Sequence, residues 1–273
     1  GRLHPDFHQL RTATGRFSCA GPNVQQIPAT AEFRSCFIPA SDHLLIVADY
    51  SQIELRILAH LSQDPALLAA FASGRDLHAA TAAQMFGLPL DAVSPAQSQA
   101  AKTINFGLCY GQGPGALGIS LGLAPTEARS LVDRYFANYR GVEAWLRQAA
   151  REAVRTGETR TIAGRRRLLP PPPPEDPDYK RKIAAIERQG KNSPIQGCSG
   201  DMTKIAMIRL EAALPPDARI ILTVHDEIVV EAPTDQAATI QTMLSGAMRA
   251  AGEALIPSVP IVVEAHTEAC WKK

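Results

Sequence analysis

Two places in this chain put carboxylates where ordinary turn chemistry does not. Asp226-Glu227 separates two apolar runs, Ile220-Ile221-Leu222-Thr223-Val224-His225 and Ile228-Val229-Val230-Glu231. A tight hairpin favours Asn-Gly or Asp-Gly, because its central residues need positive backbone dihedrals. Adjacent carboxylates at such a tip repel each other, and local rules broken in this way tend to mark functional sites. Asp49 closes another apolar run, His43-Leu44-Leu45-Ile46-Val47-Ala48, ahead of Tyr50-Ser51-Gln52. Two strand-end aspartates whose strands share a sheet could hold two divalent cations through hard oxygen ligands. Paired acids alone do not separate a nuclease, a phosphatase and a polymerase.

A second group carries different chemistry. Lys102, Phe106 and Tyr110 recur every four residues and so share one helical face. A cation followed by two aromatics suits a ligand with phosphates at one end and a stackable base at the other. Between Arg155 and Lys191 ten basic residues stand against five acids, a local excess able to follow a phosphate backbone. Gly113-Pro114-Gly115-Ala116-Leu117-Gly118 matches GxGxxG literally. It follows a helical pattern instead of a strand, so it reads as a helix stop and not as a dinucleotide fingerprint. The chain contains no GxxxxGK[ST] phosphate loop.

The elements that must position these groups follow from hydrophobic spacing. The run ending at Asp49 and the two runs around Asp226-Glu227 read as strands. From Ile53 the spacing turns helical through Ile57, Leu58 and Leu61, then Leu67, Leu68 and Phe71, with a break near Asp64-Pro65. Further helices are expected over 96–110, 125–155 and 179–214, the last bent around Pro194. Pro170 to Pro174 reads as an extended surface loop. Strand character at both ends and helices between them imply an α+β fold, a discontinuous domain with a helical insertion.

Composition narrows the class. With 273 residues, 45% hydrophobic and 20% charged, the chain is neither disordered nor fibrous. Its apolar runs are too short for a membrane span. Gly1-Arg2-Leu3-His4-Pro5 lacks a signal-peptide pattern, and the missing initiator Met points to processing or to a longer parent chain. Five cysteines without CxxC spacing argue against a disulfide framework or a zinc site and favour a reducing compartment.

Taken together in order, these segments resemble the family A DNA polymerases, those like bacterial DNA polymerase I. Asp49-Tyr50-Ser51-Gln52-Ile53-Glu54-Leu55-Arg56 is similar to that family's first catalytic motif. Lys102-Thr103-Ile104-Asn105-Phe106-Gly107, continuing to Tyr110-Gly111, resembles its nucleotide-binding fingers helix, and Val224-His225-Asp226-Glu227 its second catalytic motif. Supporting matches are Thr14-Gly15-Arg16, Pro22 to Pro28, Gly74-Arg75-Asp76-Leu77-His78, Arg188 through Asn192 to Gln196, Val259-Pro260 and Trp271.

The resemblance implies a right-hand polymerase: a palm of antiparallel sheet and helices formed by 1–58 and 181–273, with mostly helical fingers inserted over 59–180. Thumb and exonuclease domains would be absent from this chain, or supplied by a separate one. It also implies roles. Asp49, Asp226 and the Tyr50 carbonyl would hold two Mg2+ ions, with Mn2+ as an alternative, supported by Glu227. Lys102 and His78 would meet the triphosphate. Tyr50, Gln52, Glu54, Phe106 and Tyr110 would line the deoxynucleotide site, with Glu54 excluding a 2′ hydroxyl. Arg16, Asn23, Gln25, Arg188, Asn192, Gln196 and His225 would contact primer-template DNA. Partners would be that DNA and deoxynucleoside triphosphates, with no membrane; the location would be cytoplasmic and nucleoid-associated, in a bacterial or phage-like setting.

One position departs from the family pattern. Four residues before the fingers Lys the family carries a triphosphate-gripping Arg; here Ser98 stands there, and no Arg lies between Arg75 and Arg129. Val24 and Gln26 replace the usual Leu and Asn, a milder change. The Ser98 departure motivates an alternative, a DNA-binding protein with weak or lost catalysis. A single-subunit RNA polymerase, whose palm is similar, is disfavoured by Glu54 and Phe106. A serine hydroxyl offers one hydrogen bond where a guanidinium offers a charged fork. Ser98→Arg is therefore expected to tighten apparent deoxynucleotide affinity by roughly tenfold or more, the scale of one charge-assisted contact, with little change in DNA affinity. Single-turnover extension over a range of nucleotide concentrations measures it; an unchanged affinity would mean another group already fills that place.

Overall fold

The computed structural model describes residues 1–272. In chain order, β1 (Asp6–His8) and β2 (Ser18–Ala20) form a small ribbon, followed by α1 (Ala31–Arg34) and β3 (His43–Tyr50). Seven helices follow: α2 (Ile53–Ser62), α3 (Pro65–Ala72), α4 (Leu77–Phe86), α5 (Pro95–Cys109), α6 (Pro114–Leu121), α7 (Pro125–Asn138) and α8 (Arg140–Thr156). The hairpin β4 (Glu158–Arg160) and β5 (Arg166–Leu168) leads to the 33-residue helix α9 (Tyr179–Glu211). Then come β6 (Arg219–Val224), β7 (Glu227–Pro233), α10 (Ala237–Leu255) and β8 (Val263–Glu268). The chain forms two compact units. One comprises Gly1–Ile53, Gln196–Pro257 and the residues from Ile261 onward; the other comprises Glu54–Ile195 with Ser258–Pro260.

The first unit is built on an antiparallel sheet of strand order β6-β7-β3-β8. Mixed helices and antiparallel sheet agree with the α+β expectation. β3 pairs with β7 from His43 opposite Pro233 to Asp49 opposite Glu227, and with β8 along its other edge. Its two faces are both covered, which is why it reads as an unbroken apolar run and does not alternate. Leu45 and Val47 join Val224, Val229 and Trp271 in one core cluster. On the opposite face the buried Tyr50 hydroxyl donates to the Met248 carbonyl of α10 at 2.7 Å. The α9 segment of this unit approaches the N-terminal region, where Gly200 faces the Arg16 backbone.

In the second unit, local capping sets the helix starts. The Asp64 carboxylate accepts from the Ala66 and Leu67 amides with Pro65 at the first helical position, and Asp76 does the same for α4. Ser94 and Gln97 form a reciprocal capping box at the start of α5. Three expectations need correction here. The helix expected over 125–155 breaks at Tyr139, because Asp64 Oδ2 accepts the Gly141 amide at 2.8 Å and captures the start of α8. A Cβ at Gly141 would lie 2.9 Å from the Asp64 Cα, so the break is a tertiary device. The stretch read as a helix stop does end α5, but Gly113 and Pro114 then open α6. It still follows a helix, so the dinucleotide reading fails for the reason given. The last helix runs through Pro194 and ends at Glu211, short of 214.

Helix α9 lies against α8 in this unit because Gly190 has no side chain. A Cβ there would meet Ala153 Cβ at 2.4 Å and the Ala149 carbonyl oxygen at 2.9 Å. Gly190 is two residues from Arg188 and so lies on the far side of α9 from Arg188 and Asn192. Gly190→Ala is expected to lower stability by about 1–3 kcal/mol through overpacking. Urea unfolding of the purified chain checks it; a change within error would mean that the two helices can separate without loss.

Candidate active site

Register brings the acids together in the first unit. Asp49, the penultimate residue of β3, lies directly opposite Glu227, the first residue of β7, and Asp226 precedes Glu227 in the turn. The turn expected at Asp226-Glu227 is displaced by one residue: it comprises His225 and Asp226, and Glu227 belongs to the strand. His225 takes the positive dihedral that a glycine would ordinarily supply, with φ of 57°, and Gln52, just beyond Tyr50, has φ of 54°. Each such residue stores on the order of 1–3 kcal/mol, and both flank the acids.

Glu227 is 2% exposed and its carboxylate is fully engaged. Arg34 Nη1 donates to both its oxygens, at 3.3 and 3.0 Å, and Trp271 Nε1 donates to Oε1 at 2.9 Å. Thr223 Oγ1 donates to the Glu227 carbonyl at 3.0 Å, fixing the backbone as well. Asp49 and Asp226 are half-buried, with the Asp49 Oδ1 atom sequestered from solvent. Burial, and secondarily the Asp226 charge, push the Tyr50 phenol well above its ordinary range, so it stays neutral beside the acids.

The donor set suits magnesium. Asp49 and Asp226 offer carboxylate oxygens and Tyr50 a backbone carbonyl, all hard ligands. Among the described residues no group of three or more His, Cys, Asp or Glu side chains is arranged to hold a metal ion, so only two side-chain carboxylates are offered here. A cation here would keep positions for water and substrate oxygens, the usual habit of Mg2+.

The second unit presents the α5 face. Lys102 is exposed and Phe106 and Tyr110 are half-exposed, while Ala101, Ile104, Asn105 and Leu108 are buried behind them. Phe106 and Tyr110 stack with ring centroids 6.4 Å apart, and His78 lies 5.6 Å from Phe106. His78 is part of a buried polar chain. Asn105 Nδ2 lies 3.1 Å from His78 Nδ1 and 3.3 Å from Thr81 Oγ1, which meets the Tyr139 hydroxyl at 3.0 Å. With the Asn105 amide donating, the neutral His78 ring carries its proton on Nε2. Glu54 is 6% exposed in the first turn of α2.

The expected DNA-contacting residues are distributed over both units. Arg188, Asn192 and Gln196 succeed one another by four along α9, and His225 is exposed in the turn. Two others have structural employment. Asn23 Oδ1 accepts the Gln25 amide at 3.1 Å, capping a short 3-10 turn, and Gln25 Nε2 donates to the Thr223 carbonyl at 3.0 Å. Much of the basic excess is locally paired: Arg160 and Arg166 with Glu158, Arg181 with Asp178, and Lys182 with Asp176. Arg34, Thr81 and Tyr139 are the residues that sequence reasoning missed. Their partners are far away in the chain and no local pattern announces them.

Comparison with known proteins decides the family. A model described as DNA polymerase family A matches residues 1–273. The chain belongs to DNA polymerase family A. It is 41% identical over 281 residues to the thermostable DNA polymerase I of Thermus aquaticus, covering 99% of this chain and 32% of the relative. DNA polymerase I of Pseudomonas aeruginosa is 41% identical over 278 residues, covering 99% and 30%. The chain thus spans about a third of the length of these curated relatives. The polymerase domain of Pol1 from M. smegmatis, solved in complex with DNA primer-template and dNTP, matches with a TM-score of 0.92 and 36% identity over 99% of this chain and 48% of that one. The architecture is accordingly that of a family A polymerase domain. Among the described residues no helix is long and apolar enough to cross a membrane.

One pH effect follows from this environment. Burial depresses the His78 pKa, the Lys102 charge adds to that, and Asp76 opposes it. The unfolded chain takes up the proton near the ordinary value of about 6.5, before the folded chain does. The His78 contribution to stability is therefore complete above that value and is lost as pH falls through the folded pKa. His60, also depressed by burial, acts in the same direction. Thermal unfolding should occur at lower temperature as pH falls from about 7 to 5, and His78→Gln should flatten that dependence in part. An unaltered slope in the variant would contradict a neutral His78.

Proposed function

We propose that this chain is the nucleotidyl-transfer core of a template-directed DNA polymerase, adding deoxynucleotides to a primer 3′ hydroxyl. The observation that supports the reading is the pairing of Asp49 opposite Glu227, the residue that follows Asp226 in the His225-Asp226 turn. Family membership makes the polymerase reading the preferred one among the chemistries that paired acids allow.

Asp49, Asp226 and the Tyr50 carbonyl would hold two magnesium ions, with manganese as a substitute. When bound, the ions supply Lewis-acid activation of the primer hydroxyl and charge neutralisation on the triphosphate and leaving pyrophosphate. Lys102 places a cation for the outer phosphates, and His78 offers its Nε2 proton to a phosphate oxygen. Phe106 packs against the incoming base and sugar, and Tyr110 stacks near the template base. Glu54 occupies the space of a 2′ hydroxyl, and Gln52 completes the wall of the nucleotide pocket. Arg16, Asn23, Gln25, Arg188, Asn192, Gln196 and His225 contact primer or template through groups that vary little with sequence. The first unit would correspond to the palm and the helical second unit to the fingers. Ser98 leaves one triphosphate contact weaker than the family pattern, which lowers the rate without removing any acid.

Asp49→Ala and Asp226→Ala are each expected to abolish primer extension, by at least about a hundredfold, while leaving duplex affinity nearly unchanged. Two cations need both carboxylates, whereas DNA affinity rests on cationic and polar contacts elsewhere. Extension and binding assays on the same preparations test this. Substantial extension by either variant would overturn the assignment, and loss of extension in the unaltered chain with intact DNA binding would favour the binding-protein alternative.

A further inference from the structure

Glu227 follows Asp226 in the chain and pairs with Asp49 across the sheet, yet its side chain is buried in the protein. A carboxylate buried this deeply must be compensated, and Arg34 and Trp271 compensate it together. Arg34 is itself 4% exposed, and its guanidinium lies 4.0 Å over the Trp271 ring. Trp271 in turn meets Phe37 edge-on at 5.6 Å, and its backbone amide donates to the Phe37 carbonyl at 2.8 Å. The chain segment just before β3 and the chain's last aromatic residue therefore converge on one side chain.

We propose that Arg34 and Trp271 are positioning residues of the acid pair: they hold Glu227 as an ion-paired, hydrogen-bonded anchor and not as a metal ligand. The proposal rests on the reading of Asp49 and Asp226 as the magnesium-binding acids. Two consequences follow from the register. Like charges directly opposite on paired strands repel, and Glu227 lies opposite Asp49. The Arg34 charge neutralises Glu227, so the carboxylate cluster a cation meets is reduced to Asp49 and Asp226. Asp226 is covalently next to the anchor, in a turn with an unfavourable backbone dihedral at His225. A turn of that kind keeps its geometry only while its surroundings over-determine it. With Glu227 held at its carboxylate by two residues and at its carbonyl by Thr223, Asp226 has little freedom to swing away from Asp49.

A plain structural staple would stabilise the fold but leave cation affinity unmoved in a folded variant. Trp271→Phe removes the indole N–H while keeping a ring beneath Arg34 and against Phe37. Mn2+ affinity is measured by electron paramagnetic resonance on the chain without DNA, alongside the Mg2+ concentration giving half-maximal primer extension and a far-ultraviolet thermal melt. The expected result is a folded variant with Mn2+ affinity weakened about fivefold, the equivalent of one lost hydrogen bond, a matching rise in the Mg2+ requirement and unchanged duplex affinity. Mn2+ affinity within twofold of the unaltered chain would overturn the proposal. Should Trp271→Phe fail to fold, Arg34→Lys, which keeps the charge but loses the fork and the stacking, is judged by the same two limits. Asp226→Ala measured in parallel separates the two levels of the argument. If it loses Mn2+ and Trp271→Phe does not, only the positioning role fails; if it binds Mn2+ as well as the unaltered chain, the metal-site reading itself fails.

Discussion

Antiparallel pairing of β3 with β7 is the constraint on which the rest of the first unit depends. It joins two segments far apart in the chain, and its register sets Asp49 opposite Glu227. A slip of one residue would turn every side chain of β7 to the other face, sending Val229 out of the Trp271 cluster and Glu227 away from Arg34. The register is therefore specified twice over, once by apolar packing and once by a buried ion pair. Removing one partner of such a pair is more damaging than never having had it, because an uncompensated charge of either sign remains in the core.

The second unit works by a similar division between a buried layer and a presented one. On α5 the buried residues alternate with Lys102, Phe106 and Tyr110, so packing of one face orients the other. Behind that face, Asn105, Thr81 and Tyr139 tie α4, α5 and the α7–α8 junction into one polar chain ending at His78. The chain uses the Asn105 amide nitrogen, while its Oδ1 is buried without a hydrogen-bond partner, so the arrangement is held from the donor side. The cap at Asp64 acts in the same sense, starting α3 with one oxygen and receiving the start of α8 with the other.

What could be read from the sequence was whatever local pattern determines. The strand ending at Asp49 and the two strands around the second acid pair announced themselves as apolar runs, and α5 by its spacing of four. What escaped was whatever tertiary contact decides. The break at Tyr139 is held by Asp64, 77 residues away; Asn138 and Gly141 are only weak local breakers within a helical pattern. The turn falls one residue early because His225 adopts a dihedral that favours glycine, a choice invisible without the fold. α6 was missed because its glycines read as breakers, although Pro114 stands at a favourable first helical position. Arg34 lies in an unremarkable polar stretch, and only its place 4.0 Å over the Trp271 ring reveals what it does. The roles given to Glu54 and His78 came from family resemblance; spacing alone would have left both as ordinary packed residues.

The account stands or falls on templated transfer at the acid pair. Its most direct test presents the chain with four primer-templates that differ only in the first templating base, each deoxynucleotide singly, and Mg2+ as the sole divalent cation. The account predicts that each nucleotide is added opposite its complement, that mismatched additions are slower by orders of magnitude, and that chelation of Mg2+ stops all of them. Addition indifferent to the templating base, or no addition by a folded chain that binds the duplex, would contradict it.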